Sequence, residues 1–184
     1  PEGSTIDTIG KSITIRGASA LTGAPLTIID GEDTHRILQV IGGGSVLVEN
    51  ILFLNGSDDS GGPSAGSYSL VGGGGVLCRD SDLTMIGCHF DDCESTNGAG
   101  SGHVFMTDDS QVRVVRFEDC EFRAGYSEYE SAGLQIDQRR GDSGDEIVPA
   151  DITVVGCLFE QNLTDDFGGG MLCRRSTAIV RSCI

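Results

Sequence analysis

One eight-residue phrase recurs along this chain, and its recurrence constrains the fold more than any single residue does. Written from its first inward residue, it reads apolar–x–apolar–x–turn–small–x–Phe. It spans Val46–Phe53, Leu83–Phe90, Val115–Phe122 and Ile152–Phe159. An opening version at Ile13–Ala18 lacks the Phe, and a closing version at Ala178–Ile184 stops just before it. Successive phrases start 26 to 37 residues apart. A period of that size marks a stacked repeat, and the alternation inside each phrase marks strands rather than helices.

A second ladder precedes the first, usually led by glycine: Leu38–Val40, Val76–Cys78, Val104–Met106, Leu134–Ile136 and Met171–Cys173. A third short strand reads Leu26-Thr27-Ile28-Ile29-Asp30-Gly31. Two or three strands per period, running the same way with no helix between them, describe an all-β parallel β-helix solenoid of about six coils. A coil alone exposes an apolar stripe and a row of unpaired backbone groups, so it is stable only on its neighbours. Stacking at the ~4.8 Å strand spacing superimposes equivalent side chains. Val46, Leu83, Val115 and Ile152 are therefore expected to form one inward column, Val76, Val104, Leu134 and Met171 another, and the four phrase-ending Phe a third. An antiparallel sandwich is the rival, but sandwich strands seldom repeat one inward phrase at near-constant spacing.

The 28 glycines fit corners, where positive φ or close backbone approach is needed. Residues 1–184 read as a single domain. Because the chain starts at Pro1 and ends inside a strand, whereas solenoids carry caps, the expectation is a segment of a longer extracellular chain. No apolar run approaches the ~18 residues of a membrane span, so membrane insertion by this segment is not expected. Lys11 is the sole lysine and the net charge is −16, which argues against nucleic acid and anionic membranes as partners. The same charge suits a secreted, saline-exposed or calcium-bathed protein, and equally a surface that is simply soluble.

Seven cysteines are an odd number. Cys88, Cys120, Cys157 and Cys183 share one slot of the phrase; Cys78 and Cys173 share the other ladder three coil steps apart, ~14 Å at the usual strand spacing and beyond disulfide reach. Cys93 stands alone. No Cys or Cys/His spacing suggests zinc, and a reduced thiol ladder is favoured.

The acidic turns are the first candidate site. Asn55–Gly62 and Asn162–Gly169 read as the same place in two repeats, and Asp58, Asp59, Asp165 and Asp166 offer hard oxygen ligands to calcium, the one cofactor these residues suggest. Their spacing matches no EF-hand loop, and a solvated acidic turn is the commoner outcome. Further acidic pairs stand at Asp91-Asp92 and Asp108-Asp109. Asn55-Gly56-Ser57 and Asn162-Leu163-Thr164 are glycan acceptors in a eukaryotic secreted protein, or asparagines that satisfy corner backbone. For catalysis, Asp137, Arg139 and Arg140 follow one strand, and Arg79 and Asp80 another. Carboxylate pairs serve acid/base hydrolysis, but surface Asp beside Arg is usually solvated charge. His35, His89 and His103 form no motif, and no nucleophile elbow appears. No catalytic residue is assigned.

Ile28-Ile29-Asp30-Gly31, Phe53-Leu54-Asn55-Gly56, Phe159-Glu160-Gln161-Asn162 and the Gly-Gly-Gly-apolar leads resemble the polymorphic outer membrane protein type of repeat. That repeat belongs among the right-handed, pectin-lyase-like β-helices. The resemblance spans nearly the whole chain and implies a right-handed β-helix in an extracellular or cell-surface stalk, adhesin or assembly component, with other protein subunits or surface glycans as partners. Cys93 and Gly125 depart from the pattern by standing where Asn is expected, and 126–150 reads as an unusually long loop. Polysaccharide lyases, hydrolases and epimerases of this fold resemble the chain in architecture only. Their Asn-Thr-Asp, Gly-His-Gly, Arg-Ile-Lys and Asp-Pro-His-Glu motifs do not occur here. The expectation is a non-enzymatic structural or adhesive module, with a carbohydrate-active enzyme segment as the alternative.

Overall fold

The structure, a computed structural model, describes residues 4–59, 72–138 and 146–184. Its first turn holds β1 (Ile6–Asp7), β2 (Ser12–Arg16) and β3 (Thr27–Asp30). The second holds β4 (Leu38–Val40), β5 (Ser45–Glu49), β6 (Ile51–Leu54) and β7 (Ser57–Asp58). The third holds β8 (Val76–Arg79), β9 (Asp82–Ile86), β10 (His89–Asp91) and β11 (Glu94–Ser95). The fourth holds β12 (Gly102–Met106), β13 (Arg113–Glu118), β14 (Glu121–Arg123) and β15 (Tyr126–Ser127). The fifth holds β16 (Leu134–Gln138), β17 (Ala150–Val155), β18 (Leu158–Glu160) and β19 (Leu163–Thr164), and β20 (Met171–Arg174) and β21 (Ile179–Arg181) begin another. The described residues contain no helix. The stretch 126–150 thus carries β15 and β16 and is not simply a long loop.

All ladders between these strands are parallel, and together they build a β-solenoid of about five turns with four sheets. Sheet I runs β1-β4-β8-β12-β16-β20, and sheet II β2-β5-β9-β13-β17-β21. Sheet III runs β18-β14-β10-β6-β3, and sheet IV β19-β15-β11-β7. Sheet II carries the first half of the repeated phrase, and sheet III carries its phenylalanine.

The registers follow the phrase. Val46, Leu83, Val115 and Ile152 are successive partners and all buried. Phe53, Phe90, Phe122 and Phe159 are likewise partners, their rings stacked 4.8–4.9 Å apart and within 12° of parallel. The opening turn fills the same slot with Ile29, which pairs with Phe53. It arrives there after an excursion closed by the antiparallel bridge Ser19–Pro25.

One expected column is corrected. Val76 and Leu134 do share a layer with Met171, but their neighbour on β12 is Gly102; Val104 lies one inward layer further, between Cys78 and Ile136. Gly102 adds no side chain, and Leu134 Cδ1 lies 3.1 Å from where its Cβ would be. The space is filled from the neighbouring turn, so the first apolar residue of β12 is not the first inward one.

Corners are made by left-handed backbone. Asn50, Gly87, Asp119, Gly156 and Ser182 form one column with φ between 50° and 65°, where short polar side chains and glycine are tolerated best. At the sheet IV to sheet I corner the limit is space instead. A Cβ on Gly74 would lie 2.3 Å from the Glu94 carbonyl oxygen and 2.4 Å from that of Gly56, so two adjacent turns close over that glycine.

Candidate functional site

Sheet I has an unusual outer face. Outward-pointing residues of a solenoid normally meet water, yet here Leu77, His103, Phe105, Gln135 and Asp137 are all buried. Strand pairing sets His103 beside Leu77 and Gln135, and Asp137 between Phe105 and Arg174. Two charged clasps lie along the margin of this face. Arg36 Nη2 pairs with Asp58 Oδ2 at 2.8 Å, and Arg36 Nη1 donates to Gln39 Oε1 at 2.7 Å. Further along the axis, Glu130 accepts from Gln135 Nε2 and from Arg174 Nη1. Burial lowers the pKa of the Arg36 guanidinium, and Asp58 opposes that shift.

Asp137 therefore sits on a polar, water-excluded face rather than in a solvated groove. Arg139 and Arg140 lie outside the described residues. Asp80 has a different role from the one its neighbour Arg79 suggests. Its Oδ1 accepts from the Thr107 and Asp108 amides at 2.6 and 3.0 Å, and its Oδ2 from Thr107 Oγ1 at 2.7 Å, with Arg79 Nε at 3.4 Å. That carboxylate ties two turns together, and its lone pairs are occupied.

The acidic turns do not converge. Sheet IV pairs Asp58 with Ser95, Ser95 with Ser127, and Ser127 with Thr164. Thr164, not Asp165, is thus the counterpart of Asp58, and the two turns are offset by one residue from the expected alignment. Asp58 is buried, clasped by Arg36, and accepts from the Gly72 amide. Asp59, Asp165 and Asp166 are exposed, and three strand steps, ~14 Å, separate the two pairs. Among the described residues no group of three or more His, Cys, Asp or Glu side chains is placed to hold a metal ion.

The same offset moves the asparagines. Asn162 aligns with Gly56, and Asn55 with Gln161. Asn162 Nδ2 donates to the Phe122 carbonyl at 2.9 Å and its Oδ1 accepts from the Gly125 amide at 3.0 Å, whereas Asn55 Nδ2 donates to Asp30 Oδ1 at 3.2 Å. The Asn162 amide thus satisfies corner backbone, whereas the Asn55 amide meets a side chain of the turn before. Asn55 also belongs to a second left-handed column with Asp92, Ala124 and Gln161.

The remaining titratable groups are scattered. His35 Nδ1 meets Thr34 Oγ1 at 2.9 Å. His89 points outward 3.5 Å from Glu121; its pKa is lowered by desolvation first, with Glu121 raising it and Arg123 lowering it. All seven cysteines are free thiols. Cys88 and Cys157 are drawn down by hydrogen bonding with Cys120, whose own pKa is pushed up by burial. Burial pushes Cys93 up to about 12, so that thiol behaves as a small apolar group.

Sequence reasoning missed the Arg36–Asp58 clasp because its partners are far apart in the chain and meet only across a corner. It also missed sheet IV, whose strands are two residues long. A signal was present in the hydroxyls Ser95, Ser127 and Thr164, which take no apolar role: Ser95 donates to the Asn97 carbonyl of its own turn, and Ser127 and Thr164 donate to the Gly98 and Glu130 carbonyls of the turn before. No protein-family model matches the chain, and no curated protein and no solved structure matches it either.

Proposed function

We propose that this chain is a non-enzymatic extracellular module, acting as a rigid structural or adhesive element of a surface appendage, stalk or cell-surface assembly. The observation that carries this reading is the unbroken axial order: four phenylalanines stacked at 4.8–4.9 Å and parallel ladders running from one end to the other. A rod of that kind holds surface groups in fixed rows, which suits repeated contacts with protein subunits or surface glycans. The resemblance to polymorphic outer membrane protein repeats supports the same assignment. Exposed carboxylates stand at several corners of the coil, Asp59 and Asp165 between sheets IV and I, Asp92 between sheets III and IV and Asp109 between sheets I and II, and give the module an acidic surface. Retention of the purified module on immobilised glycans or cell surfaces, with no product release from pectate, alginate or neutral glycans, is the expected result.

The second reading, a segment of a carbohydrate-active enzyme, draws on the buried polar face of sheet I. Reproducible cleavage that disappears in a correctly folded Asp137→Asn variant establishes it and overturns the first.

A further inference from the structure

The corner between sheets I and II contains a cleft of about 410 Å³ lined by Ile41, Gly42, Gly43, Arg79, Asp80, Asp108 and Arg113. Arg113 begins β13 with inward parity, and its column neighbours in the turns below are Ser81 and Gly44, which are small. The long side chain lies along the space they leave, and Nη1 reaches back two turns to the Gly43 carbonyl at 3.4 Å. Gly43 has φ +80°, and a Cβ there would stand 3.1 Å from Arg113 Nη2. The glycine keeps clear the place where the guanidinium rests.

What distinguishes Arg113 is that no described carboxylate forms a direct ion pair with it. It is 9% exposed, its Nε has no hydrogen-bond partner among the described residues, and no carboxylate oxygen among them lies within 4.0 Å. The other strongly buried or clasped arginines of this acidic chain, Arg36 and Arg174, each have one. Leaving a buried guanidinium unpaired is costly. Neither carboxylate that lines the same cleft pairs with it directly, although Asp108, whose pKa is held low first by its bonds with Ser110, also feels the Arg113 charge. Asp80 is consumed by Thr107, Asp108 and Arg79, and Asp108 accepts from the amide and hydroxyl of Ser110. Arg79 engages Asp80 through Nε only. Arg113 and the Nη groups of Arg79 therefore leave donor capacity unmet in the cleft, in the planar fork geometry that matches carboxylates, phosphates and sulfates.

We propose that this cleft is an oxyanion-binding site in which Arg79 and Arg113 grip a carboxylate, phosphate or sulfate group above the Gly42–Gly43 turn. The open mouth admits the group as the tip of a larger molecule or as a free ion. The site is independent of the adhesive reading, because it concerns one local contact and not retention on a surface.

The test is a titration of the arginine Nε–Hε resonances with inorganic phosphate, sulfate and acetate at constant ionic strength. The expected result is a saturable shift of Arg113 and Arg79 alone. Arg79→Gln should weaken it at least ten-fold, and Arg116→Gln on the outer face of sheet II should leave it unchanged. Arg113→Lys keeps the charge but loses the fork, and should weaken it likewise; if that variant does not fold, Arg79→Gln decides. Monosaccharides bearing each group form a second arm: tighter binding than the inorganic ion assigns the site to a ligand-borne group, and equal binding to the free ion. No saturable shift, an equal shift across all arginines, or full retention in Arg79→Gln overturns the proposal.

Discussion

Truncating Phe122 to Ala tests the axial stack at its most constrained point. The ring is fully buried and lies between Phe90, 4.8 Å away and 1° from parallel, and Phe159, 4.9 Å away and 5° from parallel. Phe117 meets it at 5.9 Å with the ring planes at 60°. Removing a buried phenyl costs about 3–5 kcal/mol in transfer and cavity terms. The narrow core cannot collapse onto the gap, because each turn is held in register by its ladders, so the upper half of that range is expected. Phe159, half-buried with a single ring partner, should cost about half as much when truncated. A Phe90→Ala/Phe122→Ala cycle isolates the ring–ring contact, which should couple by about 0.5–1.5 kcal/mol. Urea unfolding followed by circular dichroism measures all four variants. A Phe122→Ala loss under about 1 kcal/mol, or one smaller than that of Phe159→Ala, would refute the claim that the stack is continuous and tight.

Three further outcomes follow from the geometry. Alkylation without reductant should modify exposed Cys173 and partly exposed Cys183 in the folded protein, and all seven cysteines in denaturant; mass spectrometry recovering a Cys78–Cys173 bridge would contradict the register. Arg36→Met strands Asp58 in a buried site and should cost about 3–5 kcal/mol, with Asp58→Asn in the same chain restoring part of it, as read by urea unfolding. His89, whose pKa is depressed in the fold, should titrate below its usual value by NMR, lower still in Glu121→Gln and higher in Arg123→Gln. Because the unfolded chain takes up that proton first, the contribution of His89 to stability is full above the ordinary histidine pKa and declines as pH falls through the folded value.

The phenylalanine column was readable because one large residue recurred at one slot, with nothing else in the phrase able to imitate it. Gly102 was not, since two inward layers of sheet I both carry apolar residues and the glycine leaves its own layer blank. The acidic turns misled for a related reason. Asn, Gly and Asp serve corner geometry at several adjacent positions, so the pair at Asp58-Asp59 aligns with Asp165-Asp166 by composition but not by pairing. Arg113 follows a run of polar residues and reads as surface charge; only the small side chains of Gly44 and Ser81, each in a different turn, reveal that it lies inside. Local chemistry could be read from the chain, whereas contacts between turns depended on register.

The opening turn carries a broader consequence. Ile29 occupies its slot although the chain wanders through Ser19–Pro25 on the way. Position in this molecule is thus addressed by the neighbouring turn and not by distance along the polypeptide. Such a corner is a port: a peptide epitope, an enzyme tag or a fluorescent loop placed between Ala18 and Leu26 should leave every downstream address intact. Over evolutionary time the same freedom lets a solenoid acquire new surface loops one corner at a time, without renegotiating its core.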